Sequence, residues 1–238
     1  MFCLPASSIR EFSDTALDPP VRGFLHAPAA PNGRAMVLTH GAGGNAQAPL
    51  LRRLAEAFAD AGFTILRCDL PFRQLRAFGP PAPGDAARDR AGIHNAAAAM
   101  KKLGGGPAFA GSHAGNRILL AGHSYGGRQS SMLAAEDPEL AAGLLLLSYP
   151  LHPPRRPEQQ RTQHLPDLRT PALFVHGTRD PWGSIAGLER ALKMIPARTQ
   201  LMPVEGAGHD LGFKGKARHE ELPKLIVSAF TGFFQASS

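Results

Sequence analysis

Apolar runs of strand length alternate along this chain with longer segments that are either amphipathic or rich in alanine. The runs are VRGFLHA (21–27), AMVLTH (35–40), FTILRCD (63–69), RILLAGH (117–123), GLLLLSY (143–149), ALFVHG (172–177) and TQLMPVEG (199–206). Between them the spacing predicts helices over 47–61, 86–103, 125–135, 184–194 and a terminal one from about 217 to 234. In the first of these, Leu50, Leu51, Leu54 and Phe58 return at helical spacing, with Arg52, Arg53 and Glu56 elsewhere on the wheel, so one stripe faces a core. Strands separated by helices predict an α/β fold, a mostly parallel sheet of about seven or eight strands with helices on both faces. Residues 1–238 are expected to form one domain, with 1–18 as an N-terminal extension or edge strand. Two irregular stretches, 71–90 and 150–171, follow strand ends, where ligands of open parallel sheets collect, and are candidates to roof a site. Neither is long enough to form a large cap, so a fairly open pocket is expected.

The segment LLAGHSYGGRQ, residues 119–129, runs a buried strand into a serine framed by glycines. This is the G-x-S-x-G elbow, in which a sharp strand-to-helix reversal forces the serine into a strained conformation and exposes its hydroxyl. Gly122 and Gly126 stand two residues either side of Ser124, where a side chain would collide as the chain doubles back. A serine hydroxyl is a poor nucleophile until an imidazole takes its proton, and the imidazole needs a carboxylate to hold its tautomer. Both partners should follow strands, in the order nucleophile, acid, base. After ALFVHG comes TRDPWG with Asp180, and after TQLMPVEG comes AGHDLG with His209 in a short glycine-flanked loop. The intervening strand LLLLSY ends without a carboxylate, which leaves Asp180 as the acid. His40, His176 and His219 lack this placement, and His123 is expected to pack or hydrogen-bond locally. Oxyanion donors are expected from the backbone N–H of Tyr125, at the start of a helix, and from the THGAGGN loop, with Ala42 chosen and Gly43 the alternative.

Other patterns bear on what the chain binds. GAGGNA, Gly41–Ala46, satisfies G-x-G-x-x-A and precedes a strand ending in Asp69, so a dinucleotide-binding oxidoreductase is a rival reading. It leaves the ordered serine, aspartate and histidine without a reason. No two histidines form an H-x-x-x-H pair, Cys3 and Cys68 are isolated, and neither a metal nor a cofactor is expected. The net charge of +7 raises the question of nucleic acid, but the 26 Lys and Arg are scattered and lack interleaved aromatics, so the charge is assigned to attracting anionic substrates. Arg73, Arg76, Arg155 and Arg156 are candidates to place positive charge near the entrance, against the plainer reading of solvated loop arginines. No run is long enough for a membrane span and the start lacks the pattern of a signal peptide, so a cytoplasmic protein is expected.

THGAGGN, GHSYGGRQSSMLAAE, SYPLHPP, HLPDLRTPALFVHGTRDPWG and GAGHD together resemble the α/β-hydrolase superfamily. More narrowly they resemble the small domain shared by dienelactone-hydrolase-like bacterial proteins, a testis-expressed animal protein and a subunit of the NSL histone-acetyltransferase complex. The resemblance runs from Val21 to Phe234 and implies the same nucleophile, acid and base, Ser124, Asp180 and His209. It implies an esterase-like hydrolase acting on a small or medium ester-like carbonyl, with a small-molecule substrate and no cofactor. Where many relatives carry lysine and methionine around the serine, this chain has His123 and Tyr125. The eukaryotic relatives work within complexes, so a noncatalytic scaffold is the alternative that the resemblance brings with it.

Overall fold

The computed structural model describes residues 7–104, 118–213 and 220–235. Cys3, His219 and the first residues of the segment 217–234 lie outside them. Among the described residues eight strands form a single sheet: β1 (Ser8–Asp14), β2 (Val21–Ala27), β3 (Ala35–Thr39), β4 (Thr64–Cys68), β5 (Ile118–His123), β6 (Gly143–Leu147), β7 (Ala172–Gly177) and β8 (Thr199–Val204), in the spatial order β1-β2-β4-β3-β5-β6-β7-β8. The ladder from β4 through β3 to β8 is parallel throughout, and β2 pairs antiparallel with both β1 and β4. Among the described residues six helices accompany it: α1 (Pro49–Asp60), α2 (Pro71–Leu75), α3 (Asp85–Gly104), α4 (Tyr125–Glu136), α5 (Ile185–Leu192) and α6 (Leu222–Gln235).

The central strands are buried on both faces, so successive side chains feed two separate cores. Ala35 and Val37 of β3 join Leu144 and Leu146 of β6 on one side, packed under Ile93, Ala96 and Met100 of α3, Leu133 of α4 and Leu188 of α5. Met36, Leu38, Leu145 and Leu147 point the other way, under α1 and α6, where Leu50, Leu54, Phe58, Ile226 and Phe230 close the layer. The rings of Phe58, Phe63 and Phe230 meet edge to face there, at centroid distances of 5.2 to 6.3 Å.

The chain leaves β3 toward β4 on one side and then crosses back to β5 on the other. The carboxyl ends of β3 and β5 therefore flank a topological switch point, the place where open parallel sheets bind ligands. The stretch 71–90, read from sequence as irregular, begins with a short helix, α2, which starts at Pro71 with a ring already set for the first helical position, and from Asp85 onward belongs to α3. The stretch 150–171 holds only a 3-10 turn at Leu165–Asp167.

Candidate active site

Ser124 sits between β5 and α4 with φ 51° and ψ −113°, a conformation that costs a non-glycine residue about 1–3 kcal/mol. The surroundings hold it there. Its N–H donates to Leu147 O at 2.8 Å, its carbonyl accepts from Arg128 N at 2.9 Å, and Gly126 N–H donates to His40 O at 3.2 Å. The Thr39 side chain, donating to Ala121 O at 3.1 Å, fills the space beneath the turn. A Cβ on Gly126 would lie 2.5 Å from both Thr39 Oγ1 and His40 O, and one on Gly122 would lie 2.6 Å from Thr39 Oγ1. Gly126 is thus dictated by the closeness of β3, and Gly122 by that of the α4 backbone as well, since its Cβ would lie 2.4 Å from Gly127 N.

Asp180 leaves the end of β7 and His209 the loop after β8, and Arg179 N–H donates to Ala207 O at 2.9 Å to tie the two loops together. His209 Nδ1 lies 2.8 Å from Asp180 Oδ2 and His209 Nε2 lies 2.8 Å from Ser124 Oγ. Because the carboxylate only accepts, Nδ1 carries the proton and Nε2 is left to accept from the serine hydroxyl. The Asp180 carboxylate is fully buried, and its second oxygen accepts Trp182 N–H at 2.8 Å. His176 donates from Nε2 to Gly183 O at 2.8 Å and stands 3.5 Å from Asp180 Oδ2. Burial pulls its pKa below the usual imidazole range, the Asp180 charge opposing that shift.

The structure therefore brings Ser124, His209 and Asp180 into one hydrogen-bonded line. It also brings in groups that sequence reasoning did not assign. Trp182 stacks on the His209 ring at 5.3 Å and 27°, and the only sequence signal for it was its place two residues after the acid. His123, expected to pack or hydrogen-bond locally, packs against the His209 ring at 5.3 Å and donates from Nε2 to the backbone carbonyl of His209 at 2.8 Å, far away in sequence. Asp69, the acid of the rival dinucleotide reading, accepts Ala46 N–H at 2.7 Å, so its carboxylate serves the loop itself.

Of the four loop arginines, Arg73 departs from both readings, whereas the other three fit the plainer one of solvated loop side chains. Arg73 is buried, only 8% exposed, and donates to the carbonyls of Ala42, Gly44, Arg76 and Gly79 instead of facing an entrance. Arg76 pairs with Asp85, whereas Arg155 and Arg156 are exposed. The guanidinium groups that do line the cavity are Arg128 and Arg161. Tyr125, the residue after the serine, donates its phenol to Asp89 Oδ2 at 2.7 Å. Burial raises the pKa of both groups, and the bond itself favours ionised Asp89.

A cavity of about 500 Å³ opens onto Ser124 and His209. Gly41, Ala42, Gly43 and Gly44 form one wall, Tyr125, Arg128 and Gln129 another, and Leu50, Pro80, Pro83, Trp182 and Phe213 give it apolar surface. Residues from both irregular stretches, Pro80–Pro83 and Arg161, line it as their strand-end positions implied. A larger groove between α1 and α6, about 920 Å³, holds neither the serine nor the histidine.

The sequence profile of the alpha/beta hydrolase domain matches residues 32–233. The chain belongs to that family. This α/β hydrolase is similar in fold to a dienelactone hydrolase from Anabaena variabilis, with 22% identity, 96% of this chain and 99% of that chain covered, and a TM-score of 0.73. It is similar also to a Xanthomonas campestris protein described as an α/β serine hydrolase without lid, with 16% identity, 97% and 94% coverage and a TM-score of 0.64. Among curated proteins it resembles one of Salmonella typhimurium that carries the provisional name carboxymethylenebutenolidase, 29% identical over 102 residues. That match covers 40% of the α/β hydrolase and 36% of the relative. Among the described residues, no helix is long and apolar enough to cross a membrane.

Proposed function

We propose that this α/β hydrolase is a serine hydrolase of ester-like carbonyl compounds of small or medium size, with Ser124 as nucleophile, His209 as general base and acid, and Asp180 as the carboxylate that orients it. His209 Nε2 takes the hydroxyl proton as Ser124 Oγ bonds to the substrate carbonyl carbon. Negative charge moves to the carbonyl oxygen, where the Tyr125 N–H and the N–H of Ala42 or Gly43 receive it. The intermediate collapses, the bond to the leaving alcohol breaks, and His209 returns the proton to that alcohol. Water then repeats the sequence on the acyl-serine, with His209 taking the water proton and giving it back to Ser124, which releases the acid. Asp180 stabilises the imidazolium without accepting its proton.

The observation that carries this reading is the pair of 2.8 Å hydrogen bonds that run from Ser124 through His209 to the buried Asp180. A scaffold has no need for a strained serine at a cavity wall. The substrate is expected to carry negative charge. Among the described residues neither Arg128 nor Arg161 forms an ion pair, and both line the cavity, Arg161 over the Trp182 ring at 5.4 Å and Arg128 with a buried Nε that lacks a hydrogen-bond partner.

A panel of p-nitrophenyl esters of increasing acyl length, run beside Ser124→Ala, tests the proposal. Turnover that disappears in the variant supports it. No turnover on any ester, with no labelling by a fluorophosphonate, overturns it in favour of a noncatalytic role.

A further inference from the structure

The carbonyls of the loop after β3 are held from behind. His40 donates from Nδ1 to Gly41 O at 2.8 Å, while its Nε2 accepts Leu70 N–H at 3.1 Å. Arg73, one turn further on in α2, donates from Nη2 to Ala42 O at 2.9 Å and from Nε to Gly44 O at 2.8 Å. Its remaining donors reach Arg76 O at 3.0 Å and Gly79 O at 2.9 Å. The guanidinium also lies over the Phe72 ring, 4.9 Å from its centroid. A buried guanidinium whose hydrogen bonds all go to carbonyls is an expensive way to pack a loop, because an apolar side chain of similar volume would avoid desolvating a charge. Among the described residues it forms no ion pair.

In a trans peptide the C=O of one residue and the N–H of the next point in opposite directions. Fixing Gly41 O and Ala42 O on the α2 side therefore turns the N–H groups of Ala42 and Gly43 the other way, and both residues line the cavity at Ser124. Neither N–H takes part in a backbone hydrogen bond of the loop, where Gly44 N–H closes the turn onto Gly41 O at 3.0 Å. A positive charge on the Ala42 carbonyl also polarises that peptide and makes the Gly43 N–H a stronger donor. The same short helix is tied to the other donor. Asp89 accepts Phe72 N–H at 3.0 Å with one oxygen and the Tyr125 phenol at 2.7 Å with the other.

We propose that Arg73 is a positioning residue for the oxyanion site, holding and polarising the Ala42–Gly43 peptide through its hydrogen bonds to the Ala42 and Gly44 carbonyls. The proposal rests on the serine-hydrolase reading. An interaction realised in the transition state lowers kcat when it is removed and leaves KM nearly unchanged.

The test measures kcat and KM for a p-nitrophenyl ester, normalised to sites titrated by a fluorophosphonate, in the wild type, Arg73→Gln and Arg73→Lys. Inhibition by a boronic acid, which forms a tetrahedral anionic adduct on the serine, is measured in parallel, and Arg88→Gln removes an exposed charge as the control. The expected result is a fall in kcat of about 10- to 100-fold in Arg73→Gln, a KM change under about threefold, and a matching loss of boronic-acid affinity. Arg73→Lys should recover part of both. Unchanged kcat per titrated site, even with a lower melting temperature, overturns the proposal, and so does a rise in KM alone. A wild type without turnover or labelling overturns the serine-hydrolase reading and takes this proposal with it. A wild type that is active beside equally active Arg73 variants overturns this proposal alone.

Discussion

His123 holds the main chain of His209: its Nε2 donates to the His209 carbonyl at 2.8 Å, from inside the turn that presents Ser124. The turn of the proposed nucleophile and the loop of the proposed base are thus joined by two hydrogen bonds, one between the side chains of Ser124 and His209, 85 residues apart, and one from His123 at the strand end to the loop backbone. Replacing His123 with Phe keeps a ring and removes the donor. A buried hydrogen bond contributes about 1 kcal/mol, so kcat/KM for a p-nitrophenyl ester should fall about fivefold to tenfold with the fold retained. Unchanged kinetics would show that the loop holds His209 without this bond.

The turn at Ser124 depends on backbone proximity. Gly126→Ala would set a methyl 2.5 Å from His40 O and from Thr39 Oγ1, one of them main chain that cannot swing aside. We expect a loss of about 2–4 kcal/mol in unfolding free energy by urea denaturation. A loss below about 0.5 kcal/mol would mean that β3 yields easily.

Anion preference is readable from matched esters. Mono-4-nitrophenyl adipate differs from 4-nitrophenyl hexanoate chiefly by a terminal carboxylate, and a charge-assisted hydrogen bond is worth about 1.5–3 kcal/mol. The ratio of kcat/KM values should favour the charged ester by about tenfold or more in the wild type and fall toward one in Arg128→Gln or Arg161→Gln. A wild-type ratio of one would remove the arginine pair from substrate recognition.

Acid should destabilise the fold above the range where most carboxylates titrate. His26 Nε2 accepts from Arg67 Nε at 2.7 Å, which requires the unprotonated ring, and burial with the Arg67 charge lowers its pKa to about 4. His164, 2.8 Å from Ser131 Oγ, is also lowered to about 4, by burial and then by Arg128 and Arg90. Between about pH 6.5 and 4 the unfolded chain binds protons that these groups refuse when folded, so stability is present above the window and is lost as pH falls through it. The urea midpoint should drop from pH 7 to pH 5, less steeply in His26→Gln. A flat or rising midpoint would contradict the assignment.

Much of this was legible in the sequence, for identifiable reasons. The run ALFVHG is buried on both faces and stops where Asp180 must turn out, so its strand could be placed without tertiary information. The order of Ser124, Asp180 and His209 after their strands survives in one dimension because each loop is short. Arg73 was not legible. A charged residue in a proline- and arginine-rich stretch reads as solvated, and the carbonyls that hold it at Ala42 and Gly44 lie some thirty residues upstream. Helix α2 is too short for periodicity to show, and the Tyr125 phenol meets Asp89 only because α3 packs beside α4.

The account stands on Ser124 being activated by His209, and covalent trapping reads that directly. After exposure to a fluorophosphonate, intact-protein mass spectrometry should show one adduct per chain, mapped by peptide sequencing to Ser124. Labelling should be absent in Ser124→Ala and slowed by orders of magnitude in His209→Gln. An unlabelled wild type, or an adduct on another residue that persists in Ser124→Ala, would contradict it.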